Sequence, residues 1–383
     1  MENNMNFDKL TSFFNDEVYA KTRIPGCDII VTKGYDTIFR GQFGAADLEN
    51  GIAVNADSQY YLYSCTKPVT VCGAMRLVEA GKIDLEQRAA YYLPELEGVF
   101  LEKDGVQYAP EKDITVKNLF TMTAGFNYNV GKAPIKQLFE SEQERISVRE
   151  FVSAAVRSPL DFEPGARFQY SICHDVLAGV VEAVSDMPFG DYQKKYIFEP
   201  LEMERTGFLS TLTTAPATPP LYEVNAQTLE ADLLTSPYRH GLHQKFHSGG
   251  AGLVSTVEDY AKFSSAMACG GVAKNGYQLL KPETVKLIKS EQLKNFALNS
   301  NFSCAAGAGY GYGLGVRTLI DRSAGQRSPI GEFGWDGAAG SYVLIDTDNS
   351  LSIFFATHLC KWPSKIGGMH GKARDIIYEC IED

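Results

Sequence analysis

Gln59-Tyr60-Tyr61-Leu62-Tyr63-Ser64-Cys65-Thr66-Lys67-Pro68 decides how this chain is read. The aromatic run 59–63 is extended, and a helix follows it. Pro68 fits a helix only in its first turn, where the missing N–H costs no hydrogen bond. Ser64 therefore stands at a helix N-terminus, directly after a strand. Free backbone N–H groups and the positive end of the helix dipole meet there, and both favour an oxyanion. Ser64 and Lys67 lie three positions apart, so they share one helix face. An amine held partly neutral by desolvation is a base for that hydroxyl. This is the only S-x-x-K in the chain. The pattern is weak by itself, and its weight comes from the strand-to-helix setting.

Working outward, residues 5–21 space Phe7, Leu10, Phe13, Phe14 and Val18 as an amphipathic helix. Stretches 27–32 and 37–43 are strand-like and joined by the turn Lys33-Gly34-Tyr35-Asp36. Helical signals fill the middle: 70–80 stopped by Gly81, then 115–122, 147–156 and 172–184. Residues 209–225 are rich in Thr and Pro and read as loop. Helices at 256–268 and 282–293 precede strand-like runs at 311–320, 341–345 and 351–357, with a last helix at 372–381. Short turns between neighbouring strands imply antiparallel pairing. The expected fold is α+β: an antiparallel sheet built from both termini, flanked by helices, with a mostly helical region inserted. The expected division is 1–64 plus 245–383 against 65–244, with the active site at their interface.

The chain has 383 residues, 44% hydrophobic and 22% charged, enough to bury a sizeable core. Its 36 Lys plus Arg against 47 Asp plus Glu give a net charge of −11. That balance lacks the positive field that nucleic acid or an anionic membrane needs. The densest acidic patch, 140–144, is a short solvated helix face. No basic and apolar leader opens the sequence, and no apolar run is long enough for a membrane span. Cys27, Cys65, Cys72, Cys173, Cys269, Cys304, Cys360 and Cys380 form no C-x-x-C pair. Free thiols and a cytoplasmic location are the expectation.

Other chemistry is judged against Ser64. No G-x-S-x-G exists, so a nucleophile elbow is absent. Cys65 points about 100° away from Ser64 on a helix and is read as a packing residue. Tyr170 precedes a helix N-capped by Ser171, and a tyrosine there is either ordinary packing or a proton shuttle beside Lys67. Phe333-Gly334-Trp335-Asp336-Gly337-Ala338-Ala339-Gly340 is a glycine-rich strand that lets another backbone or a ligand approach. His240, His243 and His247 have a spacing that a helix would align for a metal, but glycines around them favour loop.

Together these residues resemble the serine β-lactamase-related superfamily: class C β-lactamases, penicillin-binding proteins, D-aminopeptidases and β-lactamase-like carboxylesterases. The similarity is collinear over nearly the whole chain, through 64–67, 79–85, 114–126, 163–177, 199–203, 249–263 and 333–340. The resemblance implies a β-lactamase/transpeptidase-like fold and acyl transfer without cofactor or metal. It implies Ser64 as nucleophile, Lys67 as its base partner and Tyr170 as proton carrier. Backbone N–H groups of Ser64 and Ala338 would form the oxyanion hole.

The departures bear on substrate. Trp335-Asp336-Gly337 falls where penicillin-recognising members carry K-T-G, and Ile172 falls where they carry the Asn of Y-x-N. Ile172 cannot hydrogen-bond an amide, and Asp336 would repel a carboxylate. The tryptophan-first version is similar to the carboxylesterase branch. The expectation is a serine hydrolase acting on a small ester or amide, with walls from Trp335, Asp336, Gly337, Tyr128, Ile172, Tyr310 and Phe302. D-aminopeptidase, D-Ala carboxypeptidase and weak β-lactamase activity stay open. So does a non-catalytic sensor of penicillins or muropeptides.

Overall fold

Alternation along the strands fixes the architecture. Ile29 and Val31, with their cross-strand partners Phe355 and Ile353, face one core; Ile30 and its partner Phe354 face another. The computed structural model describes residues 5–19, 24–212, 220–225, 227–228, 230–234, 244–294, 307–360 and 368–382. Its main sheet has eight strands in the order Tyr310–Tyr312, Arg317–Leu319, Phe333–Asp336, Tyr342–Asp346, Leu351–Thr357, Gly26–Lys33, Asp36–Asp47, Ile52–Ala53. Every pairing in it is antiparallel. The sheet is built from both ends of the chain, as expected.

Both terminal helices cover one face. Phe14, from the N-terminal helical stretch 8–19, stacks on Phe43 at 5.1 Å and on Phe355 at 5.7 Å. Met369, Ala373, Ile377 and Tyr378 of the helix Met369–Glu382 fill the same core. Helix Val257–Ala268 covers the opposite face, where Tyr260 stacks on Phe354 at 4.1 Å. That second core runs on into the helical region. There Cys173–Ser185 packs on Thr66–Glu79, Val116–Phe120 and Val148–Ala155.

Four local expectations are corrected. The run 311–320 is a hairpin, because Gly313-Leu314-Gly315 turns the chain; Gly315 has φ +78° and abuts His174 and Val71. The stretch 209–225 contains a strand, Tyr222–Val224, which pairs parallel with Leu359–Cys360. The helix expected to reach 293 ends at Ile288. The middle region also holds a hairpin, Leu101–Lys103 with Val106–Tyr108. Its two-residue turn Asp104-Gly105 has positive φ at both positions, the Asp-Gly hairpin signal that the sequence reading passed over.

Cys27, Cys65, Cys72, Cys173 and Cys269 are free thiols, and Cys304 lies outside the described residues. No helix among the described residues is long and apolar enough to cross a membrane. Among the described residues three histidines are buried, and desolvation lowers each from 6.5: His174 to about 3, His247 and His358 to about 4. Each is neutral in the folded chain, whereas the unfolded chain protonates it below its ordinary value. Stability is therefore complete above that value and is lost as pH falls. Urea unfolding at pH 7 and pH 5 is expected to show a loss on the order of 2 kcal/mol per histidine. Replacing His247 by Gln is expected to remove its share of the pH dependence.

Candidate active site

The chain leaves the short strand Gln59–Tyr61 and enters one tight helical turn, Tyr63–Cys65, before the helix Thr66–Glu79. Pro68 falls in that helix's first turn, as its chemistry requires. Tyr63 holds φ +44°, a left-handed conformation sparsely populated by residues with a side chain, immediately before Ser64. Ser64 remains partly open to solvent, while Lys67 is fully buried. The Lys67 Nζ donates to Ser64 Oγ at 3.0 Å and to the Gly250 carbonyl at 2.6 Å.

Tyr170 arrives from the loop before helix Cys173–Ser185 and donates its hydroxyl to Ser64 Oγ at 2.6 Å. Trp335 arrives from the main sheet. Its Nε1 donates to the Tyr170 oxygen at 3.1 Å, and the two rings stack at 5.5 Å. Tyr128 closes the far side, 5.4 Å from the Tyr170 ring, and burial raises its phenol pKa. Lys67 Nζ lies over the Tyr170 ring at 4.7 Å and the Tyr128 ring at 5.6 Å. An amine, a phenol and an accessible hydroxyl thus share one cluster, with an indole N–H aimed at the phenol.

The turn that receives Lys67 is built by residues the sequence reading did not single out. Buried Asp175 accepts from the Ser248 hydroxyl and from Gly250 N–H at 3.1 Å. Thr70 donates to the Gly249 carbonyl at 2.6 Å, tying the same turn to the Lys67 helix. A Cβ on Gly250 would stand 2.7 Å from Asp175 Oδ2, so the glycine is set by close approach. The available signals were Ser248-Gly249-Gly250 and an aspartate in a helix's first turn.

The turn after Trp335 lies against Leu62 and Cys65. Ser341 Oγ donates to the Leu62 carbonyl at 2.8 Å, and Cys65 Sγ lies 3.5 Å from the Trp335 carbonyl. A Cβ on Gly337 would collide with Ser341 Oγ and Leu62 O. Ala338 is exposed at the tip of this turn, next to the Ser64 segment.

Other expected site residues are placed elsewhere. Asp336 stands opposite Tyr342 on the terminal-helix face, where it pairs with Arg317 at 3.2 Å and approaches His370. Strand alternation sends it away from Trp335. Ile172 is 3% exposed and lines a small depression with Phe126, Asn127, Ile135 and Ala155. Tyr310 bonds Glu332 and Arg374 near the C-terminal helix. Besides Tyr170, it is Tyr312 that meets Trp335, edge-on at 5.3 Å. Phe302, His240 and His243 lie outside the described residues. His247 stacks on Phe208 at 4.4 Å and bonds Ser210 at 2.7 Å. Cys65 is buried, which pushes its thiol up to about 12 and disarms it as a nucleophile.

The family model described as Beta-lactamase matches residues 10–366. The chain belongs to the Beta-lactamase family. It is similar to Esterase EstB of Burkholderia gladioli, 25% identical over 95% of this chain and 93% of that one. It is also similar to a putative D-alanyl-D-alanine carboxypeptidase of Escherichia coli, 25% identical over 86% and 77%. Two solved structures share the fold. EstCE1, a hydrolase with promiscuous acyltransferase activity, has a TM-score of 0.79 at 23% identity, covering 99% of both chains. Simvastatin synthase (LovD) from Aspergillus terreus has a TM-score of 0.80 at 20% identity, covering 97% of both. Within this family the expected α+β sheet with flanking helices is the observed architecture.

Proposed function

We propose that this chain is a serine hydrolase that works through an acyl-enzyme on Ser64, with carboxylic esters as its preferred substrates. One observation carries the reading: the accessible Ser64 Oγ lies 3.0 Å from Lys67 Nζ and 2.6 Å from the Tyr170 hydroxyl. Ser64 Oγ attacks the acyl carbonyl while its proton passes to the Lys67 and Tyr170 pair. The carbonyl oxygen becomes an oxyanion held by the N–H groups of Ser64 and Ala338, each worth about 3 kcal/mol of barrier. Tyr170 hands a proton to the leaving alkoxide. Water then attacks the ester on Ser64, gives its proton back through the same pair, and releases the acid. Two mobile protons and two amides suffice, and no step calls on a cofactor.

Esters are favoured over β-lactams by what surrounds the serine. Trp335 packs an indole where penicillin-recognising relatives place a lysine, and Asp336 is paired internally. Nothing in that strand offers a cation to a substrate carboxylate. The similarity to EstB, named an esterase, supports the same choice. In this proposal 1–64 with 245–383 form one unit and 65–244 the other. Lys67 and Tyr170 from one and Trp335 from the other support a site at their seam.

The test is a panel of p-nitrophenyl acetate and butyrate, nitrocefin and D-alanyl p-nitroanilide. The esters are expected to exceed nitrocefin in kcat/KM by at least ~100-fold, about the loss of one charged recognition pair. Faster nitrocefin turnover would overturn the ester assignment. A stable fluorophosphonate adduct with no turnover of any substrate would replace the enzyme by a sensor.

A further inference from the structure

The two tyrosines beside Lys67 come from separate loops, and one carboxylate joins those loops from outside the site. Asp161 Oδ1 accepts from Asn127 Nδ2 at 2.7 Å, and its Oδ2 accepts from Gln169 Nε2 at 2.5 Å. Asn127 immediately precedes Tyr128, and Gln169 immediately precedes Tyr170. Gln169 Nε2 also reaches the Phe126 carbonyl at 3.3 Å, which laces the two loops directly. Main-chain bonds fix where the carboxylate stands. Asp161 N–H donates to the Gly125 carbonyl at 2.8 Å, and Gly165 N–H donates to the Thr123 carbonyl at 2.8 Å. A Cβ on Gly125, where φ is +94°, would stand 2.5 Å from the Phe162 carbonyl, so these segments run in close contact.

We propose that Asp161 is a positioning residue for acyl transfer: its carboxylate clasps the residues before Tyr128 and Tyr170 and sets how the two phenol rings stand beside Lys67. The proposal rests on the acyl-transfer reading above. The rings are 5.4 Å apart, and Lys67 Nζ lies 4.7 Å from the Tyr170 ring centre and 5.6 Å from that of Tyr128. A carboxylate suits the task because it only accepts, and each of its oxygens meets one amide N–H₂ donor. The negative charge strengthens both bonds. A neutral amide in its place offers a single acceptor oxygen to two donors and turns its own N–H₂ group against one of them.

Loss of the clasp need not unfold the loops. Asp161 is exposed, so water can take over a broken bond. Gln169 N–H keeps the Met122 carbonyl at 2.8 Å, and Asn129 N–H keeps Asn127 Oδ1 at 2.9 Å. What is lost is the fixed spacing of the two loops. Tyr170 must hold its hydroxyl 2.6 Å from Ser64 Oγ to carry a proton, and proton transfer is sensitive to small misplacement. The effect falls on the chemical step and not on substrate binding, so kcat drops while KM holds.

The experiment compares wild type, Asp161→Asn, Asn127→Asp and the double variant carrying both changes, with p-nitrophenyl butyrate as substrate. Thermal midpoints show that each protein is folded. Asp161→Asn sets two N–H₂ groups against each other, and Asn127→Asp does the same with two carboxylates. Each single is expected to lose kcat by on the order of tenfold. The double variant exchanges donor and acceptor across the pair and still leaves an acceptor for Gln169. Its kcat is expected to return to within about threefold of wild type. Thermal midpoints that fall with kcat unchanged, losses confined to KM, or a double variant no better than the singles would each overturn the clasp. Amide hydrogen exchange of segments 126–130 and 167–171 gives a readout that needs no substrate. Exchange there is expected to quicken in each single and to recover in the double. If wild type hydrolyses no ester, the acyl-transfer reading fails, and equal exchange in all four proteins then rejects the clasp separately.

Discussion

A Ser64→Ala variant is expected to lose ester hydrolysis by on the order of 10⁴-fold or more in kcat while keeping its fold. The size of the effect follows from what the hydroxyl does in the proposed cycle. It forms the covalent bond, and no neighbour can replace it. Cys65 adjoins it in sequence but is sealed, with its thiol pushed up to about 12. The fold survives because Ser64 is partly exposed, and Lys67 keeps the Gly250 carbonyl when the serine oxygen goes. Residual activity would come from the two amides and from substrate binding alone. The measurement is kcat with p-nitrophenyl butyrate, joined to intact mass after fluorophosphonate treatment. Wild type is expected to gain one adduct and the variant none. Turnover within tenfold of wild type would remove Ser64 from the chemistry.

The contrast between Trp335 and Asp336 shows where the sequence was enough and where it was not. Ser64 and Lys67 are local neighbours, so helix periodicity and one proline brought them together on paper. Strand alternation is equally legible at 335–336, yet the likeness to the K-T-G position puts both side chains in the pocket. Pairing of Asp336 with Tyr342 puts its carboxylate on the other face, against Arg317 and His370. Repulsion of a substrate carboxylate by Asp336 is therefore not the reason to expect esters. The absence of a cation in that strand is. Asp175 and Gly250 were missed for a different reason. Their role depends on contacts across 75 residues, which no local pattern encodes. Tyr310 is read as a pocket wall and Tyr312 goes unnamed, because a glycine-rich stretch does not say which ring reaches Trp335.

Lys67→Met and Tyr170→Phe are each expected to lower kcat/KM by on the order of 10²- to 10⁴-fold, and the double variant to be no more than about tenfold worse than the weaker single. The reason lies in shared hydrogen bonds. Both groups reach the same oxygen, at 3.0 Å and 2.6 Å, and one proton must leave it. Removing either breaks the route, so the second removal has little left to break. The two singles differ in what they leave behind. Tyr170→Phe strands the Trp335 N–H that was donated to the phenol oxygen at 3.1 Å. Lys67→Met leaves the buried Gly250 carbonyl without its donor, beside Asp175. An unsatisfied buried group costs roughly 1–3 kcal/mol. The Lys67–Gly250 bond is buried and the Trp335–Tyr170 bond only partly so, and Lys67→Met is therefore expected to lower urea stability more than Tyr170→Phe. Steady-state kinetics on the four proteins closes the cycle. Fully additive losses would mean that amine and phenol act at separate steps, and the shared proton path would have to be abandoned.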